Sequence, residues 1–374
     1  MSVRAAMTPR PTAPAHVLVV GPRLDARGGI ARVNATYASA GLFDAGDGEV
    51  AVRYFPSTRD GPAILKLGYA AARLGLFGIT PLRRPAVIHL HTTWHASFWR
   101  KAAYAWVARL KRARVIHHIH AFGFLEFYDR GGGLRRRIVR GTLRRASALI
   151  ALTDAMAERL RAIAPGQTVV VLPNPVDLRA LRMDDAPPRD PHLIAYLGWF
   201  VAEKGIFELL EALAIARRSV PSLRLTLGGC RNEEAVLAHV RRLGLDDGVH
   251  MAGWLDRAGV VRTLHQCAVL ALPSHNEGFG LVLVEAMACG TPIVTCPVGG
   301  VPEVVQAPRN AVFVPPRDVP ALAQAIVRLV GSPELRRAMA AAGPEDASRF
   351  EAGRVVERLR EIYRAVLRQG AAPS

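Results

Sequence analysis

The sequence predicts an α/β protein built from two doubly wound parallel sheets. Apolar runs typical of buried strands alternate with helical stretches along the 374 residues, an order that places helices on both faces of a parallel sheet. A chain of this length exceeds one ordinary domain. A stretch rich in Pro and Asp, residues 184–191, indicates a linker. We therefore predict four segments: a flexible leader over 1–15, an N-terminal doubly wound domain over 16–185, a C-terminal one over 186–350, and a crossover helix and tail over 351–374.

The predicted strands are short runs rich in Val, Ile and Leu, the composition of strands buried on both faces. They are His16–Val20, Val50–Tyr54, Val87–Leu90, Val115–Ile119, Leu149–Leu152 and Val169–Leu172 in the first half, then Leu193–Leu197, Leu223–Leu227, Val249–Ala252, Val269–Leu272, Ile293–Thr295 and Ala311–Val314. A final helix, Glu351–Gln369, carries its apolar residues on one face and is predicted to pack across a domain.

Charge divides the two halves of the chain. Residues 1–185 hold 28 Lys and Arg against 12 Asp and Glu, a net charge of +16, whereas residues 186–374 carry only +2. Two basic stretches, Trp99–Arg114 and Arg135–Arg145, hold much of the excess. The tryptophan stripe of the first has helical spacing and is predicted to pack in the core, while the combined basic surface predicts contact with an anionic membrane. No nucleic acid is expected, because no recognised module accompanies the arginines.

The sequence contains no apolar run of 18 residues and no C-x-x-C pair among its four cysteines. The first observation predicts that no helix spans a membrane. The second favours cysteines that remain reduced thiols. We expect a cytoplasmic protein that contacts the inner face of the plasma membrane peripherally.

Residues 275–290 contain the pattern with the clearest chemistry. A strand is followed by a turn, Gly278-Phe279-Gly280, and then by a short apolar helix. This order directs backbone N–H groups and the positive end of a helix at a phosphate. Glu277 in the loop and Glu285 in the helix lie on either side of that site and can accept hydrogen bonds from sugar hydroxyls. A buried α/β unit with a solvated loop glutamate explains the apolar pattern but not the carboxylate within it.

Three further sites follow predicted strands or precede helices. Gly28-Gly29 precedes a helix and allows close approach of a ligand, although a plain turn explains it equally well. Lys204 lies just before another helix, where it could contact an anion. His120 ends a strand and shares a face with His118. Metal binding by the histidines is disfavoured, because no carboxylate or cysteine is interleaved with them.

Together these motifs resemble the retaining glycosyltransferases of family 4, also named glycosyl transferases group 1, which have the GT-B fold of two Rossmann-like domains facing each other across a cleft. The resemblance covers the chain from Val17 to the last helix. Its strongest part is the E-x7-E motif from Glu277 to Glu285. The supporting segments are Gly28-Gly29, His120, Asn174-Pro175-Val176-Asp177, Lys204-Gly205 and Gly299-Gly300-Val301-Pro302-Glu303.

The resemblance implies a nucleotide-sugar donor bound mainly by the C-terminal domain. Glu285 would contact the ribose and Glu277 the donor sugar, with Lys204 beside the diphosphate. The implied donor-binding residues are Gly28, Gly29, Lys204, Glu277, Gly278, Phe279, Gly280, Leu281 and Glu285, and the implied catalytic residues are His120, Lys204 and Glu277.

The implied reaction is transfer of a sugar to an acceptor hydroxyl with retention, by a front-face route that needs charge stabilisation and no protein nucleophile. No cofactor or metal is expected, and the sequence has no D-x-D acid pair. The implied acceptor is a saccharide or a lipid-linked intermediate of a cell-surface polysaccharide. A non-catalytic GT-B scaffold docked on a membrane or synthase complex is the alternative function, and a nucleotide-sugar epimerase is disfavoured by the E-x7-E motif.

One position departs from the family pattern. Trp199 follows Gly198 where the family often has an arginine that assists at the diphosphate. Arg23, Arg27 and Arg231 are the candidates to replace it. The donor base and sugar, the linkage and the oligomeric state have no signature in the sequence.

Overall fold

The computed structural model describes residues 15–44, 50–83 and 86–369. The N-terminal part of the described chain contains the strands β1 (Ala15–Pro22), β2 (Val50–Thr58), β3 (Ala86–Thr92), β4 (Arg114–Ile119), β5 (Ala148–Ala151) and β6 (Val169–Val171). Its helices are α1 (Gly29–Ser39), α2 (Ala63–Ile79), α3 (Ala96–Leu110), α4 (Gly123–Asp129), α5 (Gly133–Leu143) and α6 (Asp154–Ile163).

The C-terminal part contains the strands β7 (Asp190–Leu197), β8 (Arg224–Gly228), β9 (Val249–Gly253), β10 (Cys267–Leu272), β11 (Ile293–Thr295) and β12 (Ala311–Phe313). Its helices are α7 (Ile206–Ser219), α8 (Glu233–Arg242), α9 (Arg257–Gln266), α10 (Leu281–Ala288), α11 (Val301–Val304), α12 (Val319–Gly331), α13 (Pro333–Ala347) and α14 (Ala352–Arg368). Short 3₁₀ turns lie at Arg179–Leu181, Ala202–Lys204 and Ser348–Phe350.

Two six-stranded sheets, each with only parallel pairings, form the framework of the two domains. Their strand orders are β2-β1-β3-β4-β5-β6 and β12-β11-β10-β7-β8-β9. In each sheet the order reverses beside the strand that comes first in the chain, β1 or β7. In such sheets ligands bind beyond the carboxyl ends of the strands, at the point where the order reverses. The predicted fold of two Rossmann-like doubly wound domains is therefore confirmed.

The strands are apolar because both of their faces are covered. Every residue of β10 is buried, as is every residue of β3 and β5. Strand β3 is unusual in that two of its seven buried residues are histidines, His89 and His91. The sequence-predicted strands correspond to those of the structure, with small differences at their ends.

Helix α14 belongs to the end of the chain but packs on the N-terminal domain. Its predicted apolar face is buried, and it shares a core cluster with residues of β1, β2 and β3 such as Val17, Val52 and Val87. The six buried residues of that face are Val355, Val356, Leu359, Ile362, Tyr363 and Val366. A parallel bridge between Val176 and Glu351 marks the point where the chain crosses back.

The leader predicted over 1–15 lies outside the described residues except for Ala15, which begins β1. The tail after residue 369 also lies outside them. Within the described chain, the predicted linker over 184–191 follows the last strand of the first sheet, but its final two residues, Asp190 and Pro191, already belong to β7.

The predicted packing of the tryptophan stripe in the core is wrong. Helix α3 spans Ala96–Leu110 and buries a different face, which includes Phe98 and Tyr104. These buried residues share core clusters with residues of β3 and β4, so the helix turns its tryptophan stripe away from the sheet. Trp106 is 65% exposed and Trp99 is 43% exposed.

Candidate active site

The loop before α10 has the backbone geometry of a phosphate-binding turn. Gly280 caps the helix with φ of 74°, a left-handed conformation that favours glycine. A side chain at position 280 would also approach Leu283 at 2.7 Å. The amides of Leu281 and Val282 have no carbonyl acceptor one turn earlier in the helix, so they are available to an anion at this end, whereas the Leu283 amide donates to the Gly280 carbonyl at 2.9 Å. Phe279 lies beneath the turn, where its ring is buried.

Glu277, in the loop, forms an ion pair with Lys204. The distance from Lys204 Nζ to Glu277 Oε2 is 2.5 Å, and the two side chains keep 23% and 15% of their surface exposed. The second carboxylate oxygen, Oε1, accepts a hydrogen bond from the amide of Gly278 at 3.1 Å. The orientation of the Glu277 carboxylate is therefore fixed on two sides.

Glu285, inside α10, pairs with an arginine of the other domain. Arg32 Nη1, on α1, lies 2.9 Å from both carboxylate oxygens of Glu285. Glu285 is 2% exposed, so Arg32 offsets the cost of burying its carboxylate. The sequence prediction missed Arg32, which is separated from Glu285 by 253 positions.

His120 and the α10 loop meet across the domain boundary. A Cβ atom at position 278 would lie 3.1 Å from the carbonyl oxygen of His120 and from Cα of Ala121, so glycine fits here without displacing the backbone. The ring of His120 is half-buried, and its Nε2 lies 2.6 Å from Nδ1 of His91. Burial lowers the pKa of His120, which favours the neutral ring.

A cleft lies between α1 and the C-terminal domain. Its volume is about 550 Å³, within the range of small-molecule sites. Its walls include Gly28 and Gly29 from one domain and Leu281 from the other. Gly28 has φ of 123° and caps α1, and a Cβ atom added there would lie 3.8 Å from the ring of Trp199. These glycines therefore bring the backbone of the N-terminal domain close to the opposite wall of the cleft.

Two tryptophans form an aromatic wall of this cleft. The ring centroids of Trp199 and Trp254 lie 4.9 Å apart, and the angle between the ring planes is 34°. Both residues line the cleft. The guanidinium of Arg231 lies 4.1 Å from the Trp199 ring centroid, and that of Arg27 lies 5.8 Å from the Trp254 ring centroid. Arg23 instead pairs with Asp25. Of the three candidate arginines, Arg27 and Arg231 thus lie beside the aromatic pair that includes Trp199.

The structure therefore divides the predicted site into two adjoining parts. Gly28, Gly29 and Leu281 line the cleft between α1 and the C-terminal domain, as does Arg32. Lys204, Glu277 and the backbone of His120 meet around the α10 loop. Glu285 lies between the two parts, on the helix that both share.

A third contact fixes the position of the two domains. The carboxylate of Glu303 accepts hydrogen bonds from the amides of Asp154 and Ala155, at the first turn of α6. Negative charge at this end of a helix is favourable. Asn276 donates a hydrogen bond to Glu126 of α4 in the same region. The Gly-Gly-Val-Pro-Glu segment is thus a contact between domains.

Comparison with known proteins identifies the family. Residues 13–175 match the family model of the glycosyl transferase 4-like domain, and residues 179–346 match that of the glycosyl transferases group 1. The chain is 31% identical over 303 residues to a D-inositol 3-phosphate glycosyltransferase of Segniliparus rotundus, covering 75% of this chain and 68% of the relative. The chain belongs to the group 1 glycosyltransferases.

Other similarities agree with this assignment. A glycogen synthase of Mycobacterium tuberculosis is 29% identical over 322 residues, covering 83% of this glycosyltransferase and 77% of the relative. A sucrose-phosphate synthase from Thermosynechococcus elongatus superposes with a TM-score of 0.77 at 20% identity, covering 95% of this chain and all of that one. HepE of Anabaena superposes with a TM-score of 0.73 at 19% identity, covering 94% of this chain and 99% of that one. The structural similarities confirm the GT-B fold.

Several features of this glycosyltransferase had no clear signature in the sequence. Arg32 looks like any exposed helical arginine, and Trp254 lies in an ordinary strand-to-helix loop. The apolar helix α2 has a composition typical of a core element, yet among its residues only Ala70 and Phe77 are buried. The roles of Arg32 and Trp254 depend on which surfaces the two domains bring together.

Proposed function

We propose that the glycosyltransferase transfers a sugar from a nucleotide-sugar donor to an acceptor hydroxyl with retention of anomeric configuration. The observation that carries the proposal is the Lys204–Glu277 ion pair at the loop before α10, beside a cleft lined by both domains. HepE, which shares the fold, has been solved in complex with UDP-glucose. A donor of that class has the anionic diphosphate and the hydroxyl groups that this arrangement can bind.

In the proposed reaction, the bond between the anomeric carbon and the diphosphate oxygen breaks while the acceptor oxygen forms its bond on the same face. The acceptor proton passes to the departing diphosphate. Lys204 and the first amides of α10 stabilise the charge that develops on the leaving group. Glu277 would position the sugar hydroxyls and Glu285 the ribose, while neutral His120 would lie beside the sugar and the acceptor. The proposed route involves no metal ion or cofactor.

A thermal-shift screen against UDP-, GDP- and ADP-sugars tests the donor class. One donor is expected to stabilise the protein by about 2.7 kcal/mol at 100 times its dissociation constant. The selected donor is then incubated with acceptors, and the anomeric configuration of the product is read by NMR. Absence of any shift at millimolar donor would contradict the proposal. Donor binding without hydrolysis or transfer would instead support the non-catalytic scaffold.

We further propose that the acceptor is a lipid-linked intermediate of cell-surface polysaccharide assembly, reached at the inner face of the plasma membrane. The relatives named for D-inositol 3-phosphate and glycogen indicate that the family also uses other acceptors. What favours a lipid here is a surface formed by α2, α3 and α5, which we call the basic–apolar face. Its exposed apolar residues are Ile64, Leu65, Leu67, Leu76, Ile79, Trp99, Trp106, Leu110, Leu134 and Ile138.

The charge of the basic–apolar face suits an anionic bilayer. Between Asp60 and Asp154 the sequence has only two acidic residues, Glu126 and Asp129, whereas lysines and arginines recur along α2, α3 and α5. Helices α2 and α3 are in contact, and α3 and α5 line one cavity together, so the three helices are neighbours on the N-terminal domain. No helix in the described parts of the chain has the length and apolarity to cross a bilayer. Exposed apolar side chains flanked by arginines are typical of a helix lying in the interface.

Replacing Ile64 and Leu67 together by serine is expected to weaken binding to vesicles that contain phosphatidylglycerol by at least tenfold. The two side chains are 85% and 73% exposed, so the change removes apolar contact with lipid at little cost to folding. Vesicle sedimentation measures the effect. The matched control is the Ile215→Ser, Leu237→Ser variant on the C-terminal domain, which should bind like the wild type. Equal binding by all three proteins, or no wild-type binding at any salt concentration, would contradict the membrane proposal.

A further inference from the structure

Three buried histidines converge inside the N-terminal domain, beneath the position of His120. His89 and His91 lie on β3, and His118 lies on β4 directly opposite His91 in the sheet register. Their ring centroids are 4.6 to 5.3 Å apart. One nitrogen from each of the three lies within 4.8 Å of the others. Neighbouring parallel strands thus supply a set of imidazole ligands from two short segments.

The separations are close to those required by a bound ion. Zinc–nitrogen bonds of about 2.0–2.1 Å in tetrahedral geometry place two ligand nitrogens about 3.4 Å apart. Nε2 of His89 is already 3.2 Å from Nδ1 of His118. The ligand nitrogen of His91 lies within 4.8 Å of its neighbours and has to move closer to them to complete the set.

One nitrogen of the proposed ligand set has no hydrogen-bond partner in the described parts of the chain. It is Nε2 of His91, on a side chain that is 1% exposed. A buried polar atom without a partner is destabilising, and such atoms usually indicate an unseen ligand or water. This atom is therefore a second sign of a ligand, beside the short distances between the rings.

Two of the rings have hydrogen-bond partners outside the proposed ligand set. Nδ1 of His89 hydrogen-bonds the hydroxyl of Tyr363 at 2.7 Å, and Nδ1 of His91 hydrogen-bonds His120 at 2.6 Å. Second partners of this kind orient ligating histidines in metalloproteins.

One amine, Lys101, lies near the cluster. Its Nζ donates a hydrogen bond to Ser57 Oγ at 2.6 Å, and burial drives its pKa well below the usual value. The expectation from the sequence that the histidines bind no metal rested on the absence of interleaved carboxylates or cysteines. Three imidazoles alone meet the preference of zinc, copper and nickel.

We propose that His89, His91 and His118 form a binding site for a divalent transition-metal ion of the zinc class. The site is separate from the donor cleft and independent of the proposed transfer reaction. Its role would be structural, because Tyr363 connects it to α14 and the ion would tie β3, β4 and the terminal helix together.

The test uses the full-length, untagged protein after treatment with a chelator. Equilibrium dialysis against Zn²⁺, followed by elemental analysis, is expected to give one tightly bound ion per chain. Co²⁺ in the same site is expected to show the intense visible absorption of tetrahedral nitrogen coordination, and Zn²⁺ should abolish it. A wild-type protein that retains no stoichiometric ion and gives no such absorption overturns the proposal.

Variants locate the ion. His91→Gln and His118→Gln should each lower the Zn²⁺ affinity at least 100-fold, and Tyr363→Phe about tenfold through loss of the orienting hydroxyl. The control is His250→Gln, an exposed histidine of β9 that should leave binding unchanged. Wild-type affinity in His91→Gln and His118→Gln would place the ion elsewhere and overturn the proposal. If those two variants do not fold, Tyr363→Phe and the wild-type Co²⁺ absorption decide.

Discussion

Replacing Lys204 by alanine is expected to lower kcat for glycosyl transfer by roughly 10²–10³-fold. The ammonium group lies 2.5 Å from Glu277, beside the loop before α10 where the leaving diphosphate would bind. Its charge acts mainly on the transition state, because negative charge increases on the leaving group as the bond breaks. Steady-state kinetics with the donor selected by the binding screen measures the loss.

Controls separate this effect from a change in Glu277. Lys204→Ala, Glu277→Gln and the double variant form a cycle whose coupling energy reports how far the two residues act together. Arg328→Ala removes an exposed cation on α12 and should retain full activity. A kcat for Lys204→Ala within threefold of the wild type would show that another group neutralises the diphosphate. Arg27 or Arg231, beside the two tryptophans of the cleft, would then be tested next.

Replacing Arg32 by alanine is expected to destabilise the ligand-free protein by about 3 kcal/mol, because it leaves the buried Glu285 carboxylate without its partner. The lower end of the range for buried pairs applies, since the Arg32 side chain is 33% exposed. The thermal unfolding midpoint should fall by several degrees. Arg53→Ala, which removes an exposed arginine from the same domain, is the control and should have little effect.

The same variant also tests the proposed role of Glu285. If ribose hydroxyls occupy the carboxylate, donor binding must displace or share the contact with Arg32. Arg32→Ala should then bind the nucleotide at least as tightly as the wild type, and the nucleotide should restore much of the lost stability. Glu285→Gln should bind it more weakly. Equal weakening in both variants would show that Arg32 itself holds the nucleotide.

Much of this architecture could be predicted from the sequence. Strand composition and alternation with helices indicated both sheets, and the glycine turn before α10 indicated the local geometry around Glu277. Those features depend on neighbouring residues. Arg32 could not be predicted as the partner of Glu285, because the contact depends on how the two domains face each other.

Exposure was the other quantity that local sequence did not determine. Apolar residues at helical spacing indicate a face that is protected from water, but not what protects it. On α14 that face packs against the N-terminal sheet, whereas on α2 Ile64 and Leu67 remain exposed. The same pattern thus formed a core in one case and an open surface in the other. Trp106 of α3 was misassigned for this reason.

The position of α14 has a consequence for how the chain reaches its native state. During synthesis the strands of the first sheet leave the ribosome long before Val355, Leu359 and Tyr363, which complete their core. Until then, the surfaces of Val17 and Val87 lack their final cover. A chain cut after the second sheet would retain every residue of the donor loop and still have an unfinished N-terminal domain. The N-terminal domain therefore completes its core only when α14 packs against it.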